Sequence, residues 1–134
     1  MRADVVAAAR LLIHTPFGHQ GRIPGVALDC AGVVVETALA CGAEFEDWTA
    51  YRRFPREVDV VREMDERFDR VDSIECLEVG DFLGLVMPRS REMRHLAVYV
   101  GSGRMVHVEQ DRDVCEEAVP TERVRMVWRM REAG

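Results

Sequence analysis

Val26-Ala27-Leu28-Asp29-Cys30-Ala31-Gly32-Val33-Val34-Val35-Glu36 places a cysteine behind an acidic residue and ahead of an apolar run. Asp is a favoured helix N-cap, because its carboxylate accepts the orphan amide hydrogens of the first turn. Cys30 then takes the first helical position, where unpaired amide dipoles favour negative charge. A thiol held there is expected to ionise more easily, and the thiolate is the nucleophile. Gly32 leaves room for another backbone or a substrate to come close. The plainer reading is a small buried hydrophobe opening a core helix, since free cysteine is among the most buried residue types.

Outward from this stretch, the spacing predicts a helix over 29–41, stopped by Gly42 and, being apolar nearly all round, buried. Val33-Val34-Val35 favours strand by propensity, but the Asp cap, the length and the terminal glycine favour helix. Upstream, Val5, Val6, Ala9, Leu12 and Ile13 share one face of a helix over 4–13. A Pro- and Gly-rich loop containing His14 and His19 joins the two helices. Downstream, 43–54 reads as an irregular connection anchored by Trp48, Tyr51 and Phe54. A third, surface helix runs from Pro55 to Phe68, with Val58, Val61, Met64, Asp65 and Phe68 on one face.

After Asp72 the period changes from helix to strand. Strands are expected at 82–87, 95–100, 105–109 and 112–116, with a last one over 123–131 that buries one face. Helices first and an antiparallel sheet second is the α+β pattern, in one domain over 1–134. The net charge of −6 argues against broad binding to nucleic acid or anionic membrane. No apolar run approaches a membrane span, and Met1-Arg2-Ala3-Asp4 does not open a secretory signal. The expectation is synthesis in the cytoplasm without an export signal. Cys30, Cys41, Cys76 and Cys115 show no CxxC spacing, so reduced thiols are the default.

The strands bring two histidines into play. If Gly101-Ser102-Gly103 is a three-residue loop, Val100 faces Arg104 and Ala97 faces His107. His95 and His107 then lie on one sheet face as diagonal neighbours, about 7–8 Å apart at the backbone. A loop of two or four residues would put them on opposite faces. Leu96, Val98, Val106 and Val108 form core on the other side. Cysteine hydrolysis needs a thiolate, an imidazole that activates it, and a group that orients the imidazole. Cys30, His95 and His107 can fill those roles, with the helix amides as part of an oxyanion hole. A Cys-His-His zinc site is the alternative, but it lacks a fourth ligand and any short ligand spacing.

Asp29-Cys30-Ala31-Gly32-Val33-Val34 resembles the Asp-Cys-Ser-Gly-Leu-Val box of the NlpC-type cell-wall cysteine peptidases, papain-like in fold. Gly80-Asp81-Phe82-Leu83, His95-Leu96-Ala97-Val98-Tyr99-Val100-Gly101 and Met105-Val106-His107 are similar to that family's Gly-Asp-Leu step and its two histidine strands. Thr15-Pro16-Phe17 matches the Thr-Pro-Tyr before the cysteine box. Within the family, Phe17-Gly18-His19-Gln20 is similar to the Tyr-His-His-Gln loop of a short branch found with phage tails and gene-transfer particles, as is the ending from Cys115 to Arg129.

The resemblance implies N-terminal helices, with the nucleophile at a helix start, packed on a C-terminal antiparallel sheet. It implies an endopeptidase of peptidoglycan stem peptides, commonly at the D-γ-glutamyl bond to the diamino acid, with Cys30 as nucleophile, His95 as base and His107 orienting it. Phe17, His19, Asp29 and Ala31 are then expected around the substrate, and no cofactor or metal is implied. Ala31 stands where the family has Ser, and Phe17 where it has a Tyr whose hydroxyl lies near the cysteine. Action at the cell wall, delivery on a tail-like particle and tail-tip partners follow from the same likeness. The rivals are an idle structural tail-tip protein and a thiol amidase or acyltransferase.

Overall fold

In a computed structural model describing residues 2–131, with the side chains of 4–131, three helices precede and flank a six-stranded antiparallel sheet. This is the α+β, papain-like arrangement expected; Met1 and 132–134 lie outside the described residues. Helix α1 spans Arg2–Arg10 and α2 spans Cys30–Ala40, while α3 spans Glu57–Arg67. Between α1 and α2 a two-residue hairpin, β1 (Arg22–Ile23) and β2 (Ala27–Leu28), sits where an unstructured loop was expected. The sheet contains β3 (Asp69–Val71), β4 (Phe82–Val86), β5 (Met93–Gly101), β6 (Arg104–His107), β7 (Cys115–Ala118) and β8 (Val124–Arg129). Its spatial order is β3-β8-β4-β5-β6-β7.

Helix α2 is the buried spine. Asp29 is its N-cap, accepting from the Gly32 amide, and Cys41 its C-cap, with Gly42 at φ +88°. Ala31, Val33, Val34, Val35 and Ala38 are all buried, so packing overrides the strand preference of the valine run. The helix lies on β5 and α1, in the larger core with Leu96, Val98, Val106, Phe82 and Trp128. A smaller cluster, Leu83, Leu85, Ala97, Met105 and Val127, forms a second core. The last strand therefore buries residues in both clusters, Trp128 in one and Val127 in the other, rather than one face. It can do so because an apolar cluster covers each face of the sheet there, while β3 and β4 pair with its two edges.

Other expectations shift. Helix α1 ends at Arg10, with turns over 11–14. The buried face of α3 is Val60 and Met64, continued by Phe68, and Val58 is 66% exposed. Phe54, also 66% exposed, anchors nothing, whereas Trp48 and Tyr51 pack against the larger core. β7 begins at Cys115, three residues later than expected, after a turn with Asp111 at φ 65°. The short edge strand β3 went unread because three residues carry no usable period.

The Gly-Asp step closes the sheet from below. Asp81 is wholly buried; its carboxylate accepts two bonds from Arg129 of β8, at 2.8 and 2.9 Å, and one from the Glu78 amide. Gly32 has an equally specific reason: a Cβ there would sit 2.3 Å from the Gly21 carbonyl oxygen. The close approach anticipated at this glycine is made by the chain's own 18–22 loop. Because backbone cannot swing aside as a side-chain end can, Gly32→Ala is expected to destabilise the protein by about 1–3 kcal/mol. Urea unfolding measures this, and an unchanged midpoint would show that the loop yields freely.

Candidate active site

The carboxylate of Asp29 gathers four donors around the start of α2. Oδ1 accepts from the Gly32 amide at 2.8 Å and from Arg22 Nη1 at 2.9 Å. Oδ2 accepts from the Gln20 amide at 2.8 Å and from the Tyr51 hydroxyl. Arg22 reaches on to Asp47 and to the Trp48 carbonyl, so the 18–22 loop, α2 and the long connection meet at this residue. The Val33 amide bonds the Asp29 carbonyl. The backbone amides that act on the Cys30 thiol are those of Ala31, in the first turn, and of Leu96, on β5.

Cys30 is half-buried, its Sγ 3.8 Å from the Arg94 carbonyl oxygen. Burial, reinforced by the neighbouring Asp29 charge, pushes its thiol up to about 12 against the pull of the Leu96 and Ala31 amides and of Arg22. The easy ionisation expected at a helix start is therefore overturned. Loss of water, and after it the capping carboxylate, outweighs the Leu96 and Ala31 amides and Arg22.

The histidines meet. His95 Nε2 and His107 Nδ1 are 2.8 Å apart, both rings buried and nearly perpendicular at 77°. The route to this geometry differs from the one expected. Gly101 pairs with Arg104, so the turn is the two residues Ser102-Gly103, both with positive φ. Alone that turn would have sent the rings to opposite faces, but an irregularity between Tyr99 and Gly101 restores the register, with Tyr99 opposite Met105 and Val98 opposite Val106. Leu96, Val98, Val106 and Val108 join the larger core, as expected.

Burial and the adjacent His107 hold His95 down to about 3. Burial also lowers His107, against the opposing charge of Glu117, whose Oε1 lies 3.5 Å from His107 Nε2. With His95 Nε2 engaged by His107, Nδ1 is the nitrogen left for a thiol. At rest the thiol and both rings are uncharged.

A groove of about 820 Å³ runs past these groups. It is lined by Phe17, His19, Asp29, Cys30, Ala31 and His95, so every residue expected around a substrate borders it, while His107 stands behind His95. His19 packs edge-on against Tyr51, and His14 is an exposed loop residue bonded through its backbone to Val114. Three contributors went unread: Arg22, Tyr51 and Glu117. Tyr51 reads in the sequence as an anchor of the 43–54 connection, and nothing local links it to Asp29, 22 residues away. Glu117 reaches His107 only through the pairing of β6 with β7.

The chain matches the model of the NlpC/P60 family over residues 14–129. No curated protein sequence matches it. Among solved structures it is similar to the NlpC/p60 domain of the peptidoglycan hydrolase SagA, at 22% identity and TM-score 0.72, covering 97% of this chain and 99% of that one. It is also similar to an NlpC/P60 family protein from Bacillus cereus, at 20% identity and TM-score 0.72, covering 97% of this chain but 40% of that one. A third is RipD from Mycobacterium tuberculosis, described as a non-catalytic NlpC/p60 domain protein adapted to peptidoglycan binding. It shares 19% identity at TM-score 0.63, covering 96% of this chain and 97% of RipD.

The buried histidine pair makes stability depend on pH. An unfolded histidine binds its proton near pH 6.5, whereas folded His95 does so only near 3. Between those values the unfolded chain carries more protons, so this contribution is whole above about pH 6.5 and is lost as pH falls. The urea midpoint is expected to drop from pH 7 to pH 5, before most carboxylates titrate, and His95→Gln to flatten that slope. An equal slope in the variant would show the pair is not responsible.

Proposed function

Since this chain belongs to the NlpC/P60 family, we propose that it is a cysteine endopeptidase of peptidoglycan stem peptides in which Cys30 attacks, His95 moves the proton and His107 holds His95 in place. The observation that carries this reading is the 2.8 Å contact between His95 Nε2 and His107 Nδ1. It leaves His95 Nδ1 as the base, in a groove shared with the Cys30 thiol.

The chemistry follows from those positions. With His95 carrying its hydrogen on Nε2 and donating to His107, Nδ1 takes the thiol proton as sulfur attacks the scissile carbonyl. The amides of Cys30 and Ala31 receive the developing oxyanion. The imidazolium then protonates the leaving amine, and water, activated by the same ring, hydrolyses the thioester. Burial raises the thiol and lowers the ring, so both stand neutral in the free groove, and the thiol proton passes to Nδ1 as sulfur attacks. Phe17 offers no hydroxyl to this groove; the phenol nearest the cap is that of Tyr51, committed to Asp29.

The D-γ-glutamyl bond to the diamino acid is the bond proposed, on the motif likeness described above. The likeness of the 17–25 loop to the phage-tail branch supports action at the wall from a tail-like particle, with tail-tip proteins as partners. Cys30→Ala and His95→Ala are each expected to lower cleavage of purified wall by about 10³-fold or more, and His107→Ala by about 10². Mass spectrometry of released stem peptides measures this, with circular dichroism confirming the fold. Wall that is bound but not cut by the wild type would favour a binding role instead. A trapped Cys30 acyl group that passes to another amine would favour a transferase.

A further inference from the structure

Behind the histidine pair, β6 and β7 bring together three side chains of metal-ligand chemistry. His107 pairs across the ladder with Cys115, and Glu117 follows two residues on, the spacing that returns to the same strand face. A ring nitrogen of His107, the Cys115 Sγ and a Glu117 carboxylate oxygen all lie within 4.8 Å of one another, and the nitrogen that faces Glu117 is Nε2. His107 is 2% exposed, and its Nε2 is buried without a well-formed hydrogen bond, 3.5 Å from Glu117 Oε1. Cys115 Sγ is 3.0 Å from that same oxygen. Ligands about 2.0–2.3 Å from a tetrahedral ion stand roughly 3.3–3.8 Å apart, so these separations need only small adjustment.

We propose that His107, Cys115 and Glu117 form a binding site for a thiophilic divalent cation of the zinc class, and that filling it switches the histidine pair off; the second part rests on the peptidase reading. A thiolate, a carboxylate and a neutral imidazole balance a divalent charge, and water completes the four positions. Arg112 opposes the cation. Its guanidinium bonds Glu117 and lies 3.4 Å from Cys115 Sγ. Its side chain is 47% exposed, so it can swing to solvent as the ion enters.

The consequence is a change of tautomer. Binding at His107 Nε2 removes the hydrogen there, leaving that ring's proton on Nδ1, which donates to His95 Nε2. His95 must then carry its own proton on Nδ1, the nitrogen that should receive the thiol proton. Each ring keeps one proton, and the single proton released to solvent comes from the Cys115 thiol.

The test titrates the full chain with Co2+ alone, then displaces it with Zn2+, following the sulfur-to-metal charge-transfer band. One Co2+ per chain is expected in the wild type and in Cys30→Ala, with the band lost in Cys115→Ser. A band that survives Cys115→Ser, or vanishes in Cys30→Ala, overturns the site. Zn2+ is further expected to stop wall cleavage by the wild type and to be at least tenfold weaker against Cys115→Ser. Equal inhibition of both overturns the switch. Absence of cleavage by metal-free wild type would sink the peptidase reading, leaving the site to be decided by the band.

Discussion

One buried carboxylate holds the working end of this molecule together. Asp29 caps α2, ties down the Gln20 amide, and takes bonds from Arg22 and the Tyr51 hydroxyl. Three segments that share no secondary structure converge on it. Removing it would leave the Gly32 and Gln20 amides and the Tyr51 hydroxyl without their acceptor, while the largely buried Arg22 guanidinium would keep Asp47 as its one remaining carboxylate. The Asp29 charge sits beside the Cys30 thiol and resists its ionisation. The group that builds the site thus adds to burial in keeping the Cys30 thiol protonated.

The partner histidines depend on a different constraint, strand register. A two-residue turn at Ser102-Gly103 and an irregularity between Tyr99 and Gly101 compensate each other. Either alone would carry His107 to the wrong side of β6 relative to His95. Together they bring two buried rings within hydrogen-bond distance. The pair is neutral because burial penalises either charge, and His107 further depresses protonation of His95.

Beyond the pair the network continues into β7, where Glu117 faces His107 Nε2 and Arg112 offsets the carboxylate. On the proposed switch, whatever engages that nitrogen, carboxylate or cation, selects which nitrogen of His95 carries hydrogen. That control would act along the same sheet face, from the β7 side of the pair.

Much of this was legible in one dimension. The Asp-Cys cap, the helix it opens and the glycine that closes it are encoded within 14 consecutive residues, because capping and periodicity act over a few peptide units. The change of period after Asp72 likewise announced an antiparallel sheet. On α3, Met64 and Phe68 are buried and Val61 packs on the core as expected, but Val60 rather than Val58 completes the stripe, because a charged surface helix offers near-equal apolar stripes and only the core chooses between them. What tertiary structure alone decided is of two kinds. Tertiary packing chose Arg22 and Tyr51 as partners of Asp29 and Glu117 as a partner of His107, which no local spacing records. Burial then set the charges, raising the thiol that local dipoles favoured and neutralising the rings, because desolvation depends on everything packed around a group and not on its neighbours in the chain.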